Sequence, residues 1–388
     1  MKRFSIILLP LFLVIAALNT INAIAKDEST YKGLSDFTRV LDLVERNYVE
    51  DVDSEKLTTG AIEGMLKTLD PYSVYLTPER YKEIEIGTSG EFGGVGMEIT
   101  VENDVLTVIT PIEGTPAAKA GIKPEDQILA IEGKSTRGMA VHEAVSRLRG
   151  LKGSSVKVTV KSKGAKNPRE VTLIRDIIRV ESVKSKLLDN NIGYIQLSQF
   201  QEKTSDELRD ALLKLQAASA GKLKGIVLDL RNNPGGLLTQ AVEVADEFMD
   251  KGLIVSVRGK SGTQPTEYYA TKNGKFQDYP LIVVVNKGSA SASEVVAEAL
   301  QDSKRASILG TKTFGKGSVQ TIIKLENGSG LKLTTAKFYA PSGRSINEVG
   351  VMPDIIVEND KDEGRDIQLE RALELIRTSK LTQVFPKG

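Results

Sequence analysis

The segment from Val285 to Glu294 reads Val-Asn-Lys-Gly-Ser-Ala-Ser-Ala-Ser-Glu, with serines at 289, 291 and 293. Before it, Leu281 to Val285 is a short run rich in β-branched residues, which predicts a buried strand. After it, Glu294 to Asp302 predicts a helix with Val296, Leu300 and alanines along one side. A strand that turns sharply into a helix presents small side chains at a helix N-terminus. Unpaired backbone N–H groups and the helix dipole favour developing negative charge there. A serine at that point can attack a carbonyl while backbone donors hold the oxyanion. Serine is also a preferred N-cap residue, so an ordinary cap is the competing reading.

A nucleophilic serine needs a base. The chain has no cysteine and one histidine, His142, which excludes disulfides, thiolate catalysis, Cys-based zinc sites and multi-histidine metal sites. His142 lies in a helical pattern from Ala140 to Arg149, on the expected polar face, and reads as a surface or structural residue. Lysine becomes the natural candidate, because Ser-Lys pairs are a known variant of triad logic. Lys316 stands between Gly315 and Gly317, where backbone can approach closely. To accept a proton at neutral pH its ammonium must be destabilised by roughly 4.6 kcal/mol, which full burial can supply. A strand starting at Lys316 would place Ser318 and Gln320 on the same face, with Gln320 able to orient the amine. Gly310 to Lys316 also fit the first seven positions of a phosphate-binding loop. Gly317 then stands where a Ser or Thr should be, and a strand-like rather than helical segment follows. Nucleotide binding is set aside on that context.

The elements around these residues are legible in order. Residues 1–25 form an expected export signal: Lys2 and Arg3, an apolar stretch, and Ala23-Ile-Ala25 as a cleavage site. The apolar run is short for a membrane span, and an uncleaved anchor stays open. The expected location is outside the cytoplasmic membrane, in a periplasm. Residues 26–88 read as helical, with Asp53 or Ser54 capping a second helix and Thr77-Pro78 opening a third. Packing, a lid or oligomer contacts are their expected roles. Residues 89–178 change texture. Gly93-Gly94-Val95-Gly96 precedes a strand from Met97 to Val101, and Asn103-Asp104 turns into a second from Val105 to Ile109. A Pro116-Ala-Ala-Lys-Ala-Gly-Ile122 segment, a strand within Asp126 to Gly133, the His142 helix and the alternating Val156, Val158 and Val160 follow. Together they resemble a PDZ domain, in the order found in bacterial proteases. A glycine turn of this kind can hold a peptide's terminal carboxylate on its N–H groups while the strand edge pairs with the peptide.

Residues 179–362 alternate strand and helix. Thr204-Ser-Asp-Glu207 is a capping box by sequence. Gly225 to Leu230 is a buried strand before the loop Arg231-Asn-Asn-Pro-Gly-Gly236, and Asn327-Gly328 marks a hairpin. Such alternation predicts a layered sheet with helices and an antiparallel portion. A helix and tail close the chain over residues 363–388. With 52 Lys+Arg against 51 Asp+Glu there is no global basic signal for nucleic acid.

The serine segment, Phe314-Gly-Lys316-Gly, the Asp229 to Gly236 loop, the PDZ pattern and Leu69-Asp-Pro-Tyr-Ser73 together resemble the C-terminal processing (tail-specific) serine peptidase family over nearly all of the mature chain. The resemblance implies a multidomain α/β protein: a helical N-terminal region, a mostly-β PDZ domain and a layered α/β protease core of the ClpP/crotonase-like kind. It implies a serine endopeptidase with Ser291 as nucleophile, Lys316 as base and Gln320 as orienting residue; Ser289 and Ser293 are the serines set aside. The oxyanion donors map to the backbone of Ala292 and of the Gly235-Gly236 loop, with Gly236 preferred. Substrate C-terminal tails, usually apolar, would dock around Gly93, Gly94, Val95 and Gly96, and Arg149 is the expected PDZ sensor. No cofactor, metal or nucleic acid is implied. Protein or peptide tails, an adaptor protein and a homo-oligomeric partner are. A non-catalytic scaffold or chaperone built on the PDZ module is the alternative class.

Overall fold

The computed structural model describes residues 31–271, 276–358 and 364–378. They form two compact units, divided between Tyr75 and Leu76. The expected export signal at residues 1–25 lies outside the described residues. Among the described residues no helix is long and apolar enough to cross a membrane.

The first unit contains a helix over 31–47 and the helix Ser54–Lys67. Asp53 caps the latter by accepting from the amides of Glu55 and Lys56. Asp70 closes the next turn, taking the amides of Tyr72 and Ser73 and the Ser73 hydroxyl.

The second unit opens with the helix Pro78–Ser89, capped by Thr77 as its sequence predicts. The PDZ sheet follows in the order Met97–Glu102, Val105–Pro111, Gln127–Ile131, Ser155–Lys161, Arg169–Ile174. Met97–Glu102 is therefore an edge strand. The helix Val141–Leu148 packs its Ala144 and Leu148 into a core with Leu106, Ile128, Val156 and Val158.

The protease core is built on a six-stranded sheet. Its order is Val183–Leu188, Ile192–Leu197, Gly225–Asp229, Leu281–Val285, Ser307–Gly310, Ile355–Ile356. The first pair is antiparallel and the other pairings are parallel. Alternate side chains reach opposite faces, and both faces are covered. Leu281, Val283 and Val285 join the core beneath the helices Thr204–Ala218, Leu238–Asp246 and Ala292–Asp302. Ile282 and Val284 meet Ala372, Leu375 and Ile376 of the C-terminal helix Ile367–Arg377. A strand buried on both sides reads as a continuous apolar run, as this one does. A second, antiparallel sheet carries the hairpin of Ser318–Lys324 and Gly330–Tyr339, with Leu253–Arg258 beside it.

Three expectations need correction. The helix after the serines is buried all round from Ala292 to Leu300, because it lies between the sheet and its neighbours. Thr204-Ser-Asp-Glu207 makes no capping box. Lys203 is the N-cap, and the Glu207 carboxylate instead takes the amide and hydroxyl of Ser182. The hairpin strand starts at Ser318 rather than Lys316, and a register shift between Val319 and Gln320 breaks simple alternation.

Candidate active site

Gly225–Asp229, Leu281–Val285 and Ser307–Gly310 are adjacent and parallel. The segments that leave them emerge on one edge, as ligand-binding loops do in open α/β sheets. That edge gathers the Arg231–Gly236 loop, the serine turn and the Lys316 loop.

Ser291 is the N-cap of Ala292–Asp302, with φ 56° and ψ −114°. A non-glycine residue held there costs about 1–3 kcal/mol and persists only where its surroundings over-determine it. The surroundings are specific. Glu294 is fully buried. One of its oxygens accepts from the Ser291 amide at 2.8 Å and the Lys316 amide at 2.9 Å. The other accepts from the Gly315 amide at 2.6 Å and the Thr313 hydroxyl at 2.5 Å. A single carboxylate thus fastens the serine turn to the lysine loop. From the opposite side, Asn233 accepts from the Ala290 amide and the Ser293 hydroxyl through its carbonyl, and from the Gly235 amide through its side chain.

The three serines separate cleanly. Ser289 is buried, donates to the Leu230 carbonyl and accepts from the Asn286 amide. Ser293 is buried and bound to Asn233. Both have structural roles. Ser291 instead lines a cavity of about 530 Å³, together with Lys316, Gln320, Gly235 and Gly236. Ala292 begins the helix behind it, and its amide is one of the orphan donors of a helix N-terminus. Gly235 packs so close that a Cβ would lie 2.8 Å from the Ala290 carbonyl oxygen. At Gly236, φ is 143° and a Cβ would reach 2.1 Å from the Phe200 carbonyl oxygen. The Gly235 carbonyl and the Leu237 amide both bond Phe200. Backbone alternation turns the intervening Gly236 amide the other way.

Burial lowers the pKa of Lys316; the nearby positive charge of Lys332 lowers it further, and Glu294 opposes both. Gln320 donates to Ser318 Oγ at 2.7 Å and to Thr334 Oγ1 at 3.4 Å. No helix follows Lys316, so the context of a phosphate-binding loop is missing.

The PDZ residues lie elsewhere. Gly94, Val95 and Gly96 line a groove of about 350 Å³ between Met97–Glu102 and Val141–Leu148. Gly93 stands behind it: contrary to the expected glycine turn, Gly93 and Gly94 end the strand Glu91–Gly94, which pairs antiparallel with Asp176–Arg179, and the Gly93 carbonyl accepts from the Gly150 amide. The carbonyls of Val95 and Gly96 are taken by the amides of Ala117 and Ile112. Arg149 ends the PDZ helix, with its guanidinium 4.7 Å from the Phe92 ring centroid. Its buried Nε has no partner among the described residues. His142 is exposed, as expected. A third cavity of about 940 Å³ shares Val145 and Arg149 with the groove and Glu83 and Gly87 with the serine cavity.

Two features escaped sequence reasoning. One is the Glu294 clamp; the sequence shows Glu294 only as the start of the helix after the serines. The other is Arg231, held between Asp229 at 2.6 Å and Asp366 at 2.7 Å, with the Tyr194 hydroxyl donating to Asp229. Burial, and then Asp229, raises the Tyr194 pKa. This network anchors the glycine loop to the start of the C-terminal helix.

Comparison with known proteins agrees with this architecture. Residues 191–357 match the profile of peptidase family S41, residues 83–161 that of the PDZ domain, and residues 16–80 that of the activating protease CtpB N-terminal domain. The carboxy-terminal-processing protease of Bartonella bacilliformis is 46% identical over 347 residues, 88% of this chain and 80% of that one. The carboxy-terminal processing protease CtpA of Bacillus subtilis is 41% identical over 317 residues, 81% of this chain and 67% of that one. A solved structure of a photosystem II D1 C-terminal processing protease is 34% identical, with a TM-score of 0.48, over 83% of this chain and 92% of that one. The chain belongs to the carboxy-terminal processing proteases, serine-type peptidases of family S41.

Proposed function

We propose that Ser291 and Lys316 form the catalytic dyad of an endopeptidase that takes the C-terminal tails of exported proteins. The observation that carries this is the Glu294 clamp, which holds the serine amide and the lysine amide on one carboxylate oxygen. Neutral Lys316 accepts the Ser291 hydroxyl proton as Oγ bonds to the scissile carbonyl carbon. The amides of Gly236 and Ala292 receive the oxyanion at the helix N-terminus. The C–N bond breaks, and Lys316 returns its proton to the leaving amine. Water then attacks the acyl-enzyme and gives a proton to Lys316, the C–Oγ bond breaks to release the acid product, and Lys316 returns that proton to Ser291 Oγ. Gln320, on the cavity wall, orients the lysine.

The PDZ groove takes the tail. Its edge strand offers unpaired backbone to an extended peptide, and the Gly93–Gly96 turn offers amides to the terminal carboxylate. Arg149 touches both the groove and the cavity leading to the serine, which suits a residue that senses tail binding. Export through residues 1–25 places the enzyme on the outer side of the cytoplasmic membrane. An adaptor protein belongs to the same reading. The exposed Leu34, Phe37 and Val40 of the 31–47 helix support contact with a second copy.

The test follows an unfolded protein with an apolar C-terminus by mass spectrometry. Ser291→Ala and Lys316→Ala should each lower cleavage by at least about a thousandfold. Cleavage that survives in Ser291→Ala would remove the nucleophile assignment.

A further inference from the structure

The clamp creates an electrostatic problem. Glu294 fixes the lysine loop, but its negative charge also favours the ammonium form of Lys316, which cannot act as a base. A second lysine in the same cavity offsets this.

Lys332 lies on Gly330–Tyr339 opposite Ile322, two residues from Thr334, which stands opposite Gln320. Residues two apart on a strand share a face. Lys332 therefore projects on the side where Gln320 meets Thr334, and it lines the cavity with Ser291 and Lys316. It is half-buried, and among the described residues no carboxylate forms an ion pair with it. The charges around Lys316 come from three elements: Glu294 on the serine helix, Glu83 on Pro78–Ser89, and Lys332 on the hairpin. Beyond Gly315 the chain packs on the backbone of Glu348, whose carboxylate takes the Asn347 amide.

We propose that Lys332 is a positioning residue for proton transfer, a fixed cation on the cavity wall that keeps Lys316 unprotonated by charge repulsion and touches no reacting atom. Repulsion between two ammonium groups is stronger across a partly dry cavity than in water. Burial and then the Lys332 charge both push the Lys316 pKa down, in the same direction. The proposal rests on Lys316 being the base.

The experiment compares kcat and KM across pH for the full chain, Lys332→Gln, Lys332→Met and Lys332→Arg on one peptide cut at a defined bond. Activity should rise with pH as Lys316 loses its proton. In the Gln and Met variants that limb should move up by roughly half to one pH unit, so kcat below it falls about 3- to 10-fold. Rates should converge above the limb, KM should change little, and Arg should restore the parent profile. An unmoved limb in a folded Gln or Met variant would overturn the proposal. So would an equal loss at every pH in all three variants, which marks a packing role. Lys316→Ala is run alongside. Cleavage surviving there defeats the dyad itself, whereas a failure confined to Lys332 leaves the dyad standing.

Discussion

On the proposed reading the segment Gly93–Gly96 meets a tail and the turn at Ser289–Glu294 meets a scissile bond; both use small residues, yet they are built in opposite ways. Around the serines the polar groups are buried and tied to one another: Ser289 to Leu230, Ser293 to Asn233, and Glu294 to four donors on two segments. Around the PDZ turn the carbonyls face inward and the adjoining strand is an open edge. Chemistry needs reacting groups held to a fraction of an ångström. Recognition of an extended tail needs unpaired backbone that the ligand completes. The protein spends buried polar contacts at the first place and withholds them at the second.

The strongest way to break this contrast is at Glu294. Its removal leaves buried amides and a hydroxyl without an acceptor, each costing about 1–3 kcal/mol. Glu294→Ala should destabilise the fold by about 3–5 kcal/mol and cut cleavage more than about a hundredfold. Urea unfolding followed by circular dichroism, beside the cleavage assay, reads both effects. Full activity in the variant would mean that the clamp does not position the proposed dyad.

Much of this division was written in the chain, and the part that was not has a common cause. Strands such as Leu281–Val285 and caps such as Asp53 and Thr77 depend on neighbours in sequence, so local pattern finds them. Ser291 and Lys316 entered through motifs whose combination is specific. Glu294 read only as the start of the helix after the serines, because three of its four donors lie 19 to 22 residues away. Asp366 pairs with Arg231 across 135 residues. Thr204 looked like a cap because local rules cannot see Ser182 competing for Glu207. Long-range polar pairing carries no periodicity, so sequence pattern does not reveal it.

At the proposed tail site the expected effect is narrower. A Cβ on Gly93 would lie 2.0 Å from the Gly150 carbonyl oxygen, which is backbone and cannot swing aside. Gly93→Ala must displace the turn, or the segment after the PDZ helix, and either change spoils the carboxylate end of the groove. Affinity for a tail peptide, measured by fluorescence polarisation, should fall at least about tenfold, roughly 1.4 kcal/mol. Unchanged affinity would show that the turn does not shape the tail site.

The smallest effect concerns pH, and here the two regions should respond with opposite sign. Glu298, one turn beyond Glu294, is buried; burial pushes its carboxyl up to about 6, while the Arg344 guanidinium at 2.8 Å opposes the shift. Its folded pKa exceeds the unfolded one, so the folded state binds more protons between about pH 4.5 and 6. Stability from this group is highest below that window and declines as pH rises through it, by up to about 2 kcal/mol. On the PDZ helix, Glu143 is held below the usual carboxylate range by hydrogen bonds from Lys134 and then Arg147, so its contribution is lost on acidification. Urea unfolding from about pH 3 to about pH 6.5 separates them, because the Glu298 window lies above about pH 4.5 and the Glu143 loss lies below it. Relative to Glu298→Gln, the parent should weaken as pH rises. Relative to Glu143→Gln, it should weaken as pH falls. Parallel curves for the parent and Glu298→Gln would mean that Arg344 neutralises Glu298 completely. The buried side of the comparison would then add no pH dependence through this residue.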